Sequence, residues 1–138
     1  MAALSQTAGN VVAGANMRKT TVTAGGTITA GMPVYKDASD SNKYKAAKAN
    51  ALSTSVVAGI ALNGASNNQP MTITSGGGDI NLGDTLTVGE TYCLSDATAG
   101  QIVPIGDLNT GDYTVILGIA ETSSNLILDI QTAGVAKA

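Results

Sequence analysis

The chain has 138 residues, which suits one compact domain or two very small ones. Seven Lys and Arg stand against ten Asp and Glu, a net charge of −3, with no His, one Cys and neither Phe nor Trp. So sparse a charge excludes the basic footprint of a nucleic-acid binder, and a low charge with many apolar residues is not the composition of a disordered chain.

The only aromatics are Tyr35, Tyr44, Tyr92 and Tyr113. A core must therefore come from Val, Ile, Leu, Met and Ala, each large aliphatic contributing about 1.5–3 kcal/mol when fully buried. Packing across subunits would add to such a core. The surface must be built from Thr, Ser, Asn, Gly and Ala, a neutral texture suited to flat protein–protein contacts. Cys93 is the lone cysteine, so no intrachain disulfide forms; it reads as a small buried hydrophobe, since no His exists to activate it. The lack of His also removes the commonest general base and metal ligand. No catalytic set, cofactor or metal site is expected.

Residues 1–21 are dominated by small residues, and Gly9 and Gly14 interrupt any helix. This stretch reads as an extended N-terminal arm. Its Leu4, Val11, Val12 and Met17, with Arg18 and Lys19, are candidates for docking on a neighbour. The basic pair follows the mildly apolar start instead of preceding it, which is not the order of a secretory signal. The most apolar stretch, residues 55–62, is far shorter than the roughly 20 residues of a membrane helix. The expectation is a soluble chain made in the cytoplasm, with no membrane partner.

From residue 22 onward, short runs of Thr, Val, Ile and Tyr alternate with Gly, Asn and Asp, the pattern of short strands and tight turns. Met71 and Ile73 alternate with Thr, and Leu126, Leu128 and Ile130 share one strand face. Residues 45–52 (KAAKANAL) are the one helix candidate, barely two turns long and without a clear cap, and read equally well as a surface loop.

The chain also repeats itself. Residues 25–35 (GGTITAGMPVY) align without gaps on 83–93 (GDTLTVGETYC), and 57–61 (VAGIA) on 116–120 (ILGIA), at offsets of 58 and 59. The expected organisation is an arm (1–21), a first β repeat (22–76) and a second (77–138), as two small barrels or one joint domain. Gly31 and Gly89 should occupy equivalent turns. Gly59 and Gly118, inside apolar runs, mark a bulge or a close backbone approach.

Three constellations could carry chemistry. Residues 76–84 (GGGDINLGD) resemble one calcium β-roll repeat with the wrong spacing, and read as a linker between repeats. Residues 37–42 (DASDSN) fail the EF-hand pattern and read as a hairpin turn. Asp107 and Asp112 could serve as the carboxylate pair of a small glycan hydrolase, yet both flank turn glycines.

The run AGGTITAGMPV (residues 24–34), followed by VAGIAL (57–62), resembles the capsid decoration, or cement, proteins of tailed bacteriophages. YCLSDATAGQIVP (92–104) with GDYTVILGIA (111–120) is similar to the β-domain of such head proteins and head fibres. The resemblance covers roughly residues 22–134. It implies β-tulip or β-clip barrels, a homotrimer on the outside of the expanded head, and the major capsid protein as partner. It further implies that the trimer bridges capsomers against internal DNA pressure, with an N-terminal arm lying on the shell, and places the chain on the virion after synthesis in the bacterial host. Competing expectations are a head fibre or receptor-binding protein contacting host glycan, the hydrolase, and a surface-layer or adhesin fragment.

Overall fold

The computed structural model describes residues 3–137; Met1 and Ala2 of the expected arm, and Ala138 of the second repeat, lie outside them. Among the described residues the fold is antiparallel β throughout, with ten strands in a sheet that curls into a half-barrel. The first strands are β1 (Val11–Ala13), β2 (Arg18–Thr23), β3 (Pro33–Asp37), β4 (Lys43–Ala46) and β5 (Val57–Ala61). Then come β6 (Pro70–Leu82), β7 (Thr91–Leu94), β8 (Ile102–Pro104), β9 (Tyr113–Ala120) and β10 (Asn125–Ala136). The strand order is β4-β3-β5-β6-β10-β9-β7-β8, with β1 and β2 on the other edge of β6. That order reads alike from either end, β6 and β10 meeting in the middle.

The two halves share one hydrogen-bond pattern. Gly31 has φ +93° and Gly89 φ +83°, the left-handed region that glycine adopts at no steric cost. Gly31 N–H donates to Ala61 C=O at 2.8 Å, and Gly89 N–H to Ala120 C=O at 2.9 Å. The β3–β5 ladder slips by a residue after Val34↔Gly59, and the β7–β9 ladder slips after Tyr92↔Gly118. At both slips only glycine fits. A Cβ on Gly59 would run into the Thr74 carbonyl, and one on Gly118 into the Ile127 carbonyl.

Three sequence expectations need correction. The described part of the expected arm, residues 3–21, does not stand free: β1 pairs with residues 80–82 of β6, and β2 with residues 70–76. Leu4 and Met17 are buried in the main core. A segment with four apolar side chains gains more by covering a sheet edge than by remaining in solvent. Residues 76–84 are not a linker either. Strand β6 runs through Gly76, Gly77 and Gly78 to Leu82. Here the glycines permit a bend at φ +128° and +101° and the close passage of the Asn16 and Ala15 carbonyls. The boundary expected after residue 76 thus falls inside a strand.

Residues 45–52, open in the sequence between a short helix and a surface loop, form no helix before Leu52. Lys43–Ala46 is β4, held in a hairpin with β3 by Val34↔Ala46 and Tyr35↔Lys45, and by a Lys45–Asp37 ion pair at 2.8 Å. Two turns of Ala and Lys cannot meet the cost of helix nucleation alone. Ala47 and Ala49 are instead fully buried, their size letting the backbone bond across the halves: Ala49 N–H to Ser95 C=O and Gly100 N–H to Ala47 C=O. The one α-turn among the described residues is α1 (Leu52–Ser55).

The main core draws on both halves. Val57 and Ile60 lie in one buried cluster with Leu82, Tyr92, Leu94, Ile102, Leu117 and Leu126. A smaller cluster, including Ile28, Val34, Met71 and Ile73, fills the first half alone.

Candidate protein-docking face

The strands β1, β6, β10, β9 and β7 are adjacent, and their registers place side chains in rows across one outer face. Asp79 stands opposite Ile127, Ile127 opposite Ile119, and Ile119 opposite Thr91. One row along, Asn125 and Val12 both stand opposite Asn81. Strand side chains alternate between faces, so these residues share a face. Val12, Ile119 and Ile127 are 61%, 49% and 44% exposed.

A shallow cavity of about 250 Å³ lies on this face, lined by Thr91, Ile116, Gly118, Ile119, Ile127, Asp129 and Gln131. Gly118 gives the cavity its floor, because any side chain there would collide with β10. Its lining combines the apolar Ile116, Ile119 and Ile127 with the polar Thr91, Asp129 and Gln131, a mixture compatible with a protein contact. Acids border it. Asp79 raises the pKa of Glu121, first through a hydrogen bond between the two carboxyls and then through like-charge repulsion.

Of the arm residues named from the sequence, Val12, Arg18 and Lys19 are exposed, Val11 is half-buried, and Leu4 and Met17 are interior. Only Val12 belongs to this face by register. Of the four glycines expected at turns, Gly31 and Gly89 occupy turns, whereas Gly59 and Gly118 lie inside β5 and β9 at the ladder slips, where a Cβ would strike the neighbouring strand. Ile119 and Ile127 were not singled out by sequence reasoning. The motif GIA recurs in both halves, but nothing in it distinguishes the buried Ile60 from the exposed Ile119.

The other candidate chemistry is structurally engaged. Asp112 is largely buried and accepts the Asn109 N–H at 2.8 Å, closing a turn, while Asp107 lies in a 3-10 turn (Ile105–Asp107). Cys93 is fully buried, and burial, helped by the Glu90 charge, pushes its thiol up to about 11. It is therefore protonated at neutral pH and a poor nucleophile. Asp37, expected in a hairpin turn, is held down to about 2 by Lys45 and then by Ser39. Among the described residues no three His, Cys, Asp or Glu side chains group closely enough to hold a metal ion, and no helix is long and apolar enough to cross a membrane. Comparison with protein-family models, curated proteins and solved structures finds no match for this chain.

Proposed function

We propose that this chain is a structural virion protein. It binds the outer surface of a tailed-phage capsid as a homotrimer of β-tulip-type units, bridges capsomers and stabilises the expanded head. The resemblance of residues 22–134 to decoration proteins suggests the class. The observation that carries the reading is the open face around Ile119 and Ile127, an apolar surface with an acidic border spread over adjacent strands. Such patches, rimmed by polar groups, mark protein contacts. Edge strand β1, with Val12 outward, supports contact with the major capsid protein by strand pairing, in which backbone groups supply the affinity. Many copies on one shell then add through multivalency.

The test is immunogold electron microscopy of phage particles with antibody to this chain, paired with co-sedimentation of purified protein with expanded heads. Label spread evenly over heads, and saturable co-sedimentation, is the expected result. Label on tails or protruding fibres would move the reading to host attachment, and unlabelled particles would overturn it.

A further inference from the structure

The two halves close their sheets at the same place by different means. The repeat sets Gly25 on Gly83. The hairpin registers set Tyr44 on Ile102, because Lys36↔Tyr44 in the first half matches Leu94↔Ile102 in the second. In the first half the chain after β2 closes directly on β4: Gly25 N–H donates to Tyr44 C=O at 2.7 Å, beside an Ala24–Tyr44 bridge. The second half does not make the equivalent contact. Residues 3–7 lie between its two edges, with Leu4 N–H donating to Ile102 C=O at 2.8 Å and Thr7 N–H to Gly83 C=O at 3.3 Å.

Both groups of the direct closure are present in the second half, each held by a substitute. Ile102 C=O takes the Leu4 N–H, and Gly83 N–H is held by the Asn81 side chain, its Oδ1 at 2.9 Å. Gly83 has φ +76°, which Gly25 does not share, and a Cβ there would collide with the Thr7 carbonyl. Glycine changes between these backbone states at no steric cost. Leu4 is the one buried side chain of residues 3–7. Their remaining ties are Ser5 N–H to Asp84 at 2.8 Å and the Gln6 amide, which donates to the Gly31 and Gly100 carbonyls at 3.0 and 3.1 Å. A segment with so few buried contacts opens at a lower cost than the ladders around it.

We infer that residues 3–7 are a displaceable plug, and that the second half has a second closure, Gly83 N–H to Ile102 C=O, which the plug blocks. The first half is the template for that closure and makes it without any segment wedged at the seam. When the plug leaves, Ile102 C=O exchanges the Leu4 N–H for that of Gly83, so the buried strand end keeps a partner. Strand β1 keeps its pairing, since Val12 bonds across to Asn81, short of Gly83. The chain thus stores its N-terminal strand inside the fold and releases it without opening the sheet. The inference goes beyond the assembly reading and does not rest on it.

Nuclear magnetic resonance of the isotope-labelled full chain tests the idea, because scalar coupling across a hydrogen bond names both of its partners. In the wild type the Ile102 carbonyl should couple to the Leu4 amide. Leu4→Asp places a charge on the anchor and expels the plug. Its circular dichroism should match the wild type, the residue-4 amide should lose its protection from hydrogen exchange, and the Ile102 carbonyl should now couple to the Gly83 amide. Leu4→Ala, which shortens the anchor without adding charge, guards against misfolding of Leu4→Asp. It should speed exchange at residue 4 at least tenfold and show the same new coupling. Loss of folding in both variants would overturn the inference, since the sheet would then need its plug. So would a folded variant with residue 4 unprotected and no coupling between Gly83 and Ile102, or one that keeps residue 4 protected as in the wild type.

Discussion

At one register position the first half sets Ile60 against Thr74, and the second sets Ile119 against Ile127. The more apolar pair is the exposed one, while the buried pair includes a threonine whose Oγ1 is, among the described residues, the buried side-chain polar atom without a partner. Burial at this position therefore does not follow from strand composition. It follows from what is stacked on the face: the second half covers the first, and the second half's own face is left open.

The comparison can be broken at several points. The largest contrast is between the two isoleucines. Ile60→Ala should cost about 3–4 kcal/mol, as a fully buried aliphatic leaves a cavity, whereas Ile119→Ala should cost under about 0.5 kcal/mol in the dilute single chain. Equal losses in denaturant unfolding would mean that the second face is covered within the chain. Next come the bulge glycines. Gly118→Ala should cost about 3 kcal/mol and Gly59→Ala about 2 kcal/mol, since each Cβ meets a carbonyl of the neighbouring strand and Gly118 has the closer neighbour. If only one of the pair is sensitive, the shared register of the halves is structurally unequal.

Thr74→Val should work in the opposite direction. Replacing the unpartnered hydroxyl with a methyl should stabilise the chain by about 1 kcal/mol, read as a higher unfolding midpoint; a loss of stability would show that the hydroxyl is satisfied. The smallest effect is electrostatic. Asp37 is depressed from 3.8 to about 2 by Lys45, so its stabilisation is present above about pH 4 and lost as pH falls toward 2. Asp37→Asn should flatten that part of the stability–pH curve, and an unchanged slope would assign acid sensitivity to other carboxylates.

Much of the fold was legible in the residues. β-Branched runs between glycines gave strands, and the offset repeats gave matching turns, because Gly31 and Gly89 meet a local requirement, φ > 0, that few other residues fill. The glycines of VAGIA and ILGIA marked the ladder slips for the same kind of reason. Non-local partners were not legible. KAAKANAL has helical propensity, but its fate was decided by Asp37 across a hairpin and by Ser95 and Tyr113, far away in sequence. GGGDINLGD looks like a linker until Asn16 and Ala15 are seen passing close against its backbone. The candidate face was half-legible: the recurrence of GIA lay open in the sequence, but which copy faces solvent did not.

The sequence by itself determined a neutral, β-rich, glycine-punctuated chain with a duplicated pattern, because local sterics and side-chain alternation are written residue by residue. Tertiary structure alone decided that residues 11–23 belong to the sheet, that one glycine-bent strand joins the halves, and that Ile119 and Ile127 look outward. Those outcomes depend on which face stacks on which, and both faces of both halves carry apolar residues, so no local rule could choose between them.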